Sequence, residues 1–135
     1  MQMYRLHDFF PSGSGYKVRL LLHQLQRPYK YVAVQVLDGE TRTTEFLEKN
    51  PHGKIPVLEV EPGQFIWESN AILVYLAHGT EFLPRDPWKQ AKVMQWLLFE
   101  QGSVAPVLDE AWFWCTYGEG RSTTGSPAKE TGPRP

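Results

Sequence analysis

The chain has 135 residues, 41% hydrophobic and 21% charged, which suits one folded domain or a small domain plus part of another and argues against a disordered chain. Its formal net charge of −1 offers no basic excess to neutralise phosphates, so no nucleic-acid partner is expected. No apolar run reaches bilayer length, Met1 to Asp8 lack the layout of a signal peptide, and Cys115 is alone, so the expectations are no membrane contact, a cytoplasmic location, no internal disulfide and no CxxC redox chemistry.

Tyr4 to Phe10 alternates apolar and polar residues before turning aromatic, the pattern of a strand. Pro11-Ser12-Gly13-Ser14-Gly15 breaks it. Val18, Leu21, Leu22 and Leu25 then recur at i, i+3, i+4 and i+7, predicting a helix that Arg27-Pro28 ends. Tyr29 to Val36 forms a second β-like run. Thr41 to Lys49 predicts a short polar helix stopped by Asn50-Pro51. Val57 to Val60 and Gln64 to Trp67 predict two strands joined by the turn Glu61-Pro62-Gly63. Ser69 is expected to cap a helix that His78-Gly79 closes. The order β-α-β-α-β-β-α predicts an α/β fold: two βαβ-type crossovers, then a hairpin and a helix, in one mixed four-stranded sheet with helices on both faces.

Residues 80–87 contain two prolines and predict a linker after a domain spanning 1–79. Residues 88–117 predict the first helix of an all-α domain, with Ala91, Met94, Leu98, Ala105, Leu108 and Trp112 on one stripe and a kink at Pro106. In 118–135 the only aliphatic or aromatic side chain is Ala128, so this tail is expected to be disordered. His7, His23, His52 and His78 have no ligand-like spacing, and no metal site is expected.

Two segments carry chemistry. Gly53-Lys54-Ile55-Pro56-Val57-Leu58 opens a strand at an Ile-Pro bond, the one kind of peptide bond that takes the cis form at modest cost. Proline donates no backbone hydrogen, which leaves the groups of the residue before it for a ligand. Glu68-Ser69-Asn70-Ala71-Ile72 sets a carboxylate and a hydroxyl at a helix N-terminus. A strand margin beside such a helix suits a small peptide bearing both charges.

Four motifs in order give the chain a family resemblance. They are Phe10-Pro11-Ser12-Gly13-Ser14-Gly15-Tyr16-Lys17-Val18-Arg19, then Asn50-Pro51-His52-Gly53-Lys54-Ile55-Pro56-Val57-Leu58, then Glu68-Ser69-Asn70-Ala71-Ile72, and Phe82-Leu83-Pro84. From Met3 to about Tyr117 the chain resembles the glutathione transferases, whose N-terminal domain is thioredoxin-like. The Ser-containing turn looks like the bacterial and zeta- or theta-like branches. The resemblance implies glutathione as cosubstrate, an electrophilic small molecule as second substrate, a detoxifying role and a homodimer. It also implies a helical second domain, of which this sequence shows the first helix, so that the domain is expected to be truncated. A non-catalytic glutathione-binding module, or an inactive truncated product, is the alternative reading.

Carried onto this sequence, the resemblance makes Ser12 the catalytic hydroxyl, with Gly13 and Ser14 beside it on the turn and Ser14 the other candidate. A free thiol has a pKa of about 8.5, and lowering it by about two requires roughly 2.7 kcal/mol of preference for the anion. A hydroxyl donating to the sulfur supplies about 1.5–3 kcal/mol, and a helix N-terminus about 0.3–1. Ile55 would pair its backbone with the cysteinyl unit, with Pro56, expected in the cis form, turning that edge towards the ligand. Lys54 would approach the glycyl carboxylate. Glu68 would meet the γ-glutamyl ammonium, while Ser69 and its helix N-terminus would take the carboxylate.

Overall fold

The computed structural model describes residues 3–117, and the tail expected to be disordered lies outside them. Tyr4–Asp8 forms β1, Gly13–Gln24 α1, Tyr29–Ala33 β2, Thr44–Lys49 α2, Val57–Glu61 β3, Gln64–Trp67 β4 and Ser69–Ala77 α3. The strands lie in the order β2-β1-β3-β4 in one mixed sheet. Alternation along β1 divides its side chains. Tyr4 and Leu6 join Leu58 and Val60 of β3 on one face, where Val18 and Leu22 of α1 and Ile72 and Leu76 of α3 complete the larger core. On the other face Val57 packs with Val34 and with Phe46 of α2. That face also buries a polar cluster, in which His7 meets Glu59 at 3.4 Å and Arg5 reaches the same carboxylate. Burial holds the His7 imidazole below its ordinary value, against the pull of Glu59.

Three local expectations are corrected. Only the first crossover is a parallel βαβ unit: β2 runs parallel to β1, but β3 runs antiparallel to it. With Ala33 beside Asp8 and Val57 beside His7, residues 34–56 return the chain to the sheet at the end it left, so no second crossover is made. Second, α1 ends before Arg27-Pro28. Gln26 adopts φ 52, and the N–H groups of Gln26 and Arg27 return to the carbonyls of His23 and Leu22, a left-handed helix stop made without glycine. Third, Ser69 does not cap α3. It is the first helical residue, and Glu68 takes the cap position with φ 69 and ψ 113 and no side-chain cap bond.

The chain divides into two compact units after Leu97. The first runs past the expected linker, where Leu83 packs against the larger core, into α4 (Pro87–Phe99). The Asp86 carboxylate accepts the Lys89 N–H at the start of α4. Among the described residues, the second unit holds a wide π-type segment, Glu100–Val104, and α5 (Ala105–Tyr117). The Ala105 N–H returns to the Glu100 carbonyl, so the interruption falls just before Pro106, which lacks an N–H to continue an α ladder. Of the predicted apolar stripe, Met94, Leu98, Leu108 and Trp112 are exposed. Among the described residues no helix is long and apolar enough to cross a membrane, and no cluster of His, Cys, Asp and Glu is placed to hold a metal ion.

Candidate functional site

Strand register gathers the three predicted site segments. His7 lies opposite Val57, and Val57 opposite Trp67. The last residues of β1 and β4 and the first of β3 therefore share one end of the sheet. The turn bearing Ser12 leaves β1 there, Ile55-Pro56 enters β3 there, and Glu68-Ser69 leaves β4 there.

Ser12 is the N-cap of α1, with extended backbone at φ −66 and ψ 128. Its Oγ accepts the Gly15 N–H at 3.2 Å, which uses the oxygen as an acceptor and leaves the hydroxyl proton for another partner. Gly13 and Ser14 are the first two residues of the helix itself. The cap position thus falls to Ser12, one residue outside the helix, and Ser14 lies inside the first turn. Ser12 lines an open cleft with Phe10, Pro11, Gly13 and Tyr16, and the Phe10 and Tyr16 rings are largely exposed.

The turn stands on a buried ion pair that the sequence does not announce. Asp8, at the end of β1, has no exposed surface, and its Oδ2 accepts from the Arg19 guanidinium. The same guanidinium donates through Nη2 to the Phe10 carbonyl at 2.8 Å and lies 4.7 Å from the centroid of the Phe10 ring. Among the described residues no donor reaches Asp8 Oδ1. Burial pushes the Asp8 carboxyl up from 3.8 to about 6, against the opposing pull of Arg19 and of the Phe9 N–H. Gly15 belongs to this arrangement, because a Cβ there would overlap the Asp8 carboxylate.

At the β3 margin the Ile55–Pro56 peptide bond is cis. Ile55 is half-buried, Pro56 buried and Lys54 exposed. Asn50, read from sequence only as a helix stop, is 2% exposed and braces this loop from within. Its Nδ2 donates to the Lys54 carbonyl at 2.7 Å and its Oδ1 accepts the His52 N–H at 2.9 Å. Gly53 takes φ 65, where a side chain would press on Arg42 and the Thr41 carbonyl.

Ser69 is buried, at the N-terminus of α3, while the Glu68 side chain is half-exposed and lies 3.6 Å from His52 Nδ1. The His52 ring tilts against Trp67. A cross-link missed from sequence ties the two helix N-termini together: Lys17 Nζ of α1 donates to Asn70 Oδ1 of α3 at 2.8 Å. Asn70 also donates to the Leu97 carbonyl of α4. Neither partner is flagged by periodicity, since each reads as a solvated polar residue on its own helix. Chemically, the site offers two positive helix ends, a hydroxyl with a proton to give and a carboxylate, grouped at one sheet end.

The chain is similar to several known proteins. The family profile "Glutathione S-transferase, N-terminal domain" matches residues 2–78. The disulfide-bond oxidoreductase YfcG of Escherichia coli is 32% identical over 109 residues, covering 76% of this chain and 51% of that protein. The crystal structure of a glutathione S-transferase from Pseudomonas fluorescens superposes with a TM-score of 0.83 at 48% identity, over 85% of this chain and 57% of its own. A glutathione transferase homologue from Drosophila mojavensis, solved with bound glutathione, gives a TM-score of 0.77 at 32% identity, over 84% of this chain and 54% of its own. The chain thus spans about half the length of these relatives.

Proposed function

The chain belongs to the glutathione S-transferase family, and from that premise we propose that it binds glutathione at the sheet end and transfers its sulfur to an electrophilic small molecule. The observation that carries the reading is the divided use of the Ser12 hydroxyl: its oxygen is taken by the Gly15 N–H, so its proton is available to a thiolate. The N-terminus of α1 adds favourable potential at the same place. No general base is needed, because the hydroxyl stays protonated throughout and the thiol proton leaves to solvent. The thiolate then forms a carbon–sulfur bond, and in a substitution the leaving group departs with its electron pair.

The rest of the tripeptide is assigned to the other two segments. Ile55 pairs with the cysteinyl backbone as an added strand, beside Pro56 at the start of β3. Lys54 is free to swing towards the glycyl carboxylate from its exposed position. Ser69 and the α3 N-terminus take the γ-glutamyl carboxylate, and Glu68 exchanges its His52 partner for the ammonium. The electrophile approaches through the cleft between the exposed Phe10 and Tyr16 rings. A homodimer and a detoxifying role, both implied by the family, belong to the same proposal.

Calorimetric titration with glutathione, followed by turnover of a generic aryl halide, tests the reading in two steps. Saturable binding with glutathione-dependent release of halide is the expected result. Binding without turnover removes the transferase step and leaves a glutathione-binding module. No heat and no chemical-shift change at millimolar glutathione removes both.

A further inference from the structure

We infer that Asp8 and Arg19 are positioning residues for the Ser12 hydroxyl: Arg19, pinned by the buried Asp8 carboxylate, holds the turn that ends at Ser12. The inference rests on the reading of Ser12 as the donor to the glutathione sulfur. Between β1 and α1 the chain has only a short irregular stretch, in which Phe10 is held by Arg19 through both its carbonyl and its ring. The Ser12 N–H returns to the Phe9 carbonyl at 2.8 Å, and the Phe10 carbonyl is held by Arg19 Nη2 at 2.8 Å. The Phe10 ring lies against the same guanidinium. On the strand side, the Asp8 carbonyl accepts from the Val34 N–H at 2.9 Å and from the Tyr31 hydroxyl at 3.1 Å, which ties the last residue of β1, just before the turn, to β2 and the residue after it. On the helix side, the Asp8 carboxylate fills the space where a side chain at position 15 would stand, so the first turn of α1 approaches β1 closely. Gly15 is also the residue whose N–H sets the direction of Ser12 Oγ.

Stability alone does not account for this choice of residues. Replacing a buried ion pair by apolar side chains of similar volume is often neutral or stabilising. An apolar pair here would fill the same space yet leave the Phe10 carbonyl unheld and the turn free to shift. Arg19 suits the task because its planar fork serves the carboxylate and the carbonyl together, while a lysine offers a compact charge on a flexible stem. A shift of even 1 Å in a donor weakens stabilisation of the developing or resident charge steeply. The pair therefore acts on the sulfur through Ser12, and neither side chain need touch the ligand.

The test compares the wild-type chain with Asp8→Asn, Arg19→Lys and Arg19→Met, reading the ultraviolet absorbance of the bound glutathione thiolate against pH, together with kcat and KM. In Asp8→Asn and Arg19→Lys the bound thiol pKa should rise by about one, with kcat/KM near neutral pH down about threefold and glutathione KM within about twofold. Arg19→Met should lose more than Arg19→Lys, so partial rescue by lysine is part of the expected result. An unchanged thiol pKa in any variant that melts cooperatively overturns the inference, as does a loss confined to KM. Should Arg19→Met fail to fold, Arg19→Lys decides, since it keeps a positive charge against Asp8. If wild-type protein itself lowers no thiol pKa, the Ser12 reading is what fails. Amide exchange of Ser12 and Gly15 in the ligand-free chain then decides the positioning role, faster exchange in the variants supporting it and unchanged exchange overturning it.

Discussion

Gly15→Ala puts the packing beneath the Ser12 turn to a direct test. Alanine in place of a helical glycine ordinarily stabilises by about 1 kcal/mol. Here the added methyl would overlap the Asp8 carboxylate, a group with no exposed surface to retreat towards. Two outcomes are open to the protein, and both are costly. If helix and strand separate, the overpacking costs about 1–3 kcal/mol. If instead the carboxylate swings away from Arg19, a buried pair is broken at about 3–5 kcal/mol. Net of the helix-propensity gain, the first route leaves about 0–2 kcal/mol and the second about 2–4, so with the close overlap at this site the expected destabilisation is about 2 kcal/mol, which lowers the thermal midpoint of a domain this size by roughly 8–16 °C. The assay is thermal and urea unfolding of four proteins: wild type, Gly15→Ala, Asp8→Ala and the double variant. In the Asp8→Ala background the methyl has room, so Gly15→Ala should be neutral or stabilising by up to about 1 kcal/mol. The coupling energy should then be about 2–3 kcal/mol. Equal cost in both backgrounds, or less than about 1 kcal/mol in the wild-type background, would falsify the packing argument.

Ser12→Ala should lower kcat/KM by roughly tenfold to a hundredfold, the 1.5–3 kcal/mol of a hydrogen bond to a charged sulfur, with glutathione affinity little changed. An unmoved pH–rate profile would shift the role away from Ser12. Glu68→Gly should separate stability from binding: relief of the backbone at φ 69 stabilises by about 1 kcal/mol net of the added chain entropy, while glutathione affinity falls about tenfold or more. A variant that loses neither strain nor affinity refutes both halves. Asp8 also makes stability depend on pH, since its folded value of about 6 lies above its ordinary 3.8. A carboxylate raised in this way favours the folded state most below pH 3.8 and loses that contribution as pH rises through about 6, amounting to about 3 kcal/mol. His7, held low by burial, works in the opposite direction near neutrality, so the measurement is the pH dependence of the difference between wild type and Asp8→Asn. A flat difference between pH 4 and 8 counts against a buried, titrating Asp8.

Sequence patterning reached the sheet because its signals are local. Alternation marks β1, the Pro-Gly turn marks the β3–β4 hairpin, and Leu21, Leu22 and Val18 mark the buried face of α1. What escaped it depends on partners far apart in the chain or on unusual backbone. Nothing near Asp8 says that its carboxylate meets a guanidinium on the following helix, because an acidic residue at a strand end reads as solvated. Glu68 hides its left-handed backbone, since that conformation is normally advertised by glycine. With Glu68 in the cap position, Ser69 moves one place inward and changes from a cap into a buried first-turn hydroxyl. The direction of β3 was equally illegible, because it depends on the sheet end to which residues 34–56 return, and α2 within them is a short helix with soft boundaries in sequence.

The site segments share a physical device that explains why they can stay in place without regular secondary structure of their own. Two are connections whose backbone is held by a polar side chain rather than by a ladder, the partly exposed Arg19 and the buried Asn50, and the third, the start of α3, is anchored by the partly exposed Asn70. Arg19, locked by Asp8, holds the Phe10 carbonyl on the turn before Ser12. Asn50 holds the Lys54 carbonyl and the His52 N–H ahead of Ile55. Asn70 takes the Lys17 ammonium and gives to the Leu97 carbonyl just behind Ser69. In each case the brace uses side-chain groups, so the outward-facing polar groups of the connection are not spent on holding it. An apolar core can fix the ends of such connections but cannot specify the orientation of a hydroxyl or a carbonyl, because dispersion contacts carry little directionality. The bracing polar residues therefore belong to the site as much as the exposed ones do, and substitutions at Asn50 or Asn70 should act on ligand affinity through the geometry of the segments they brace.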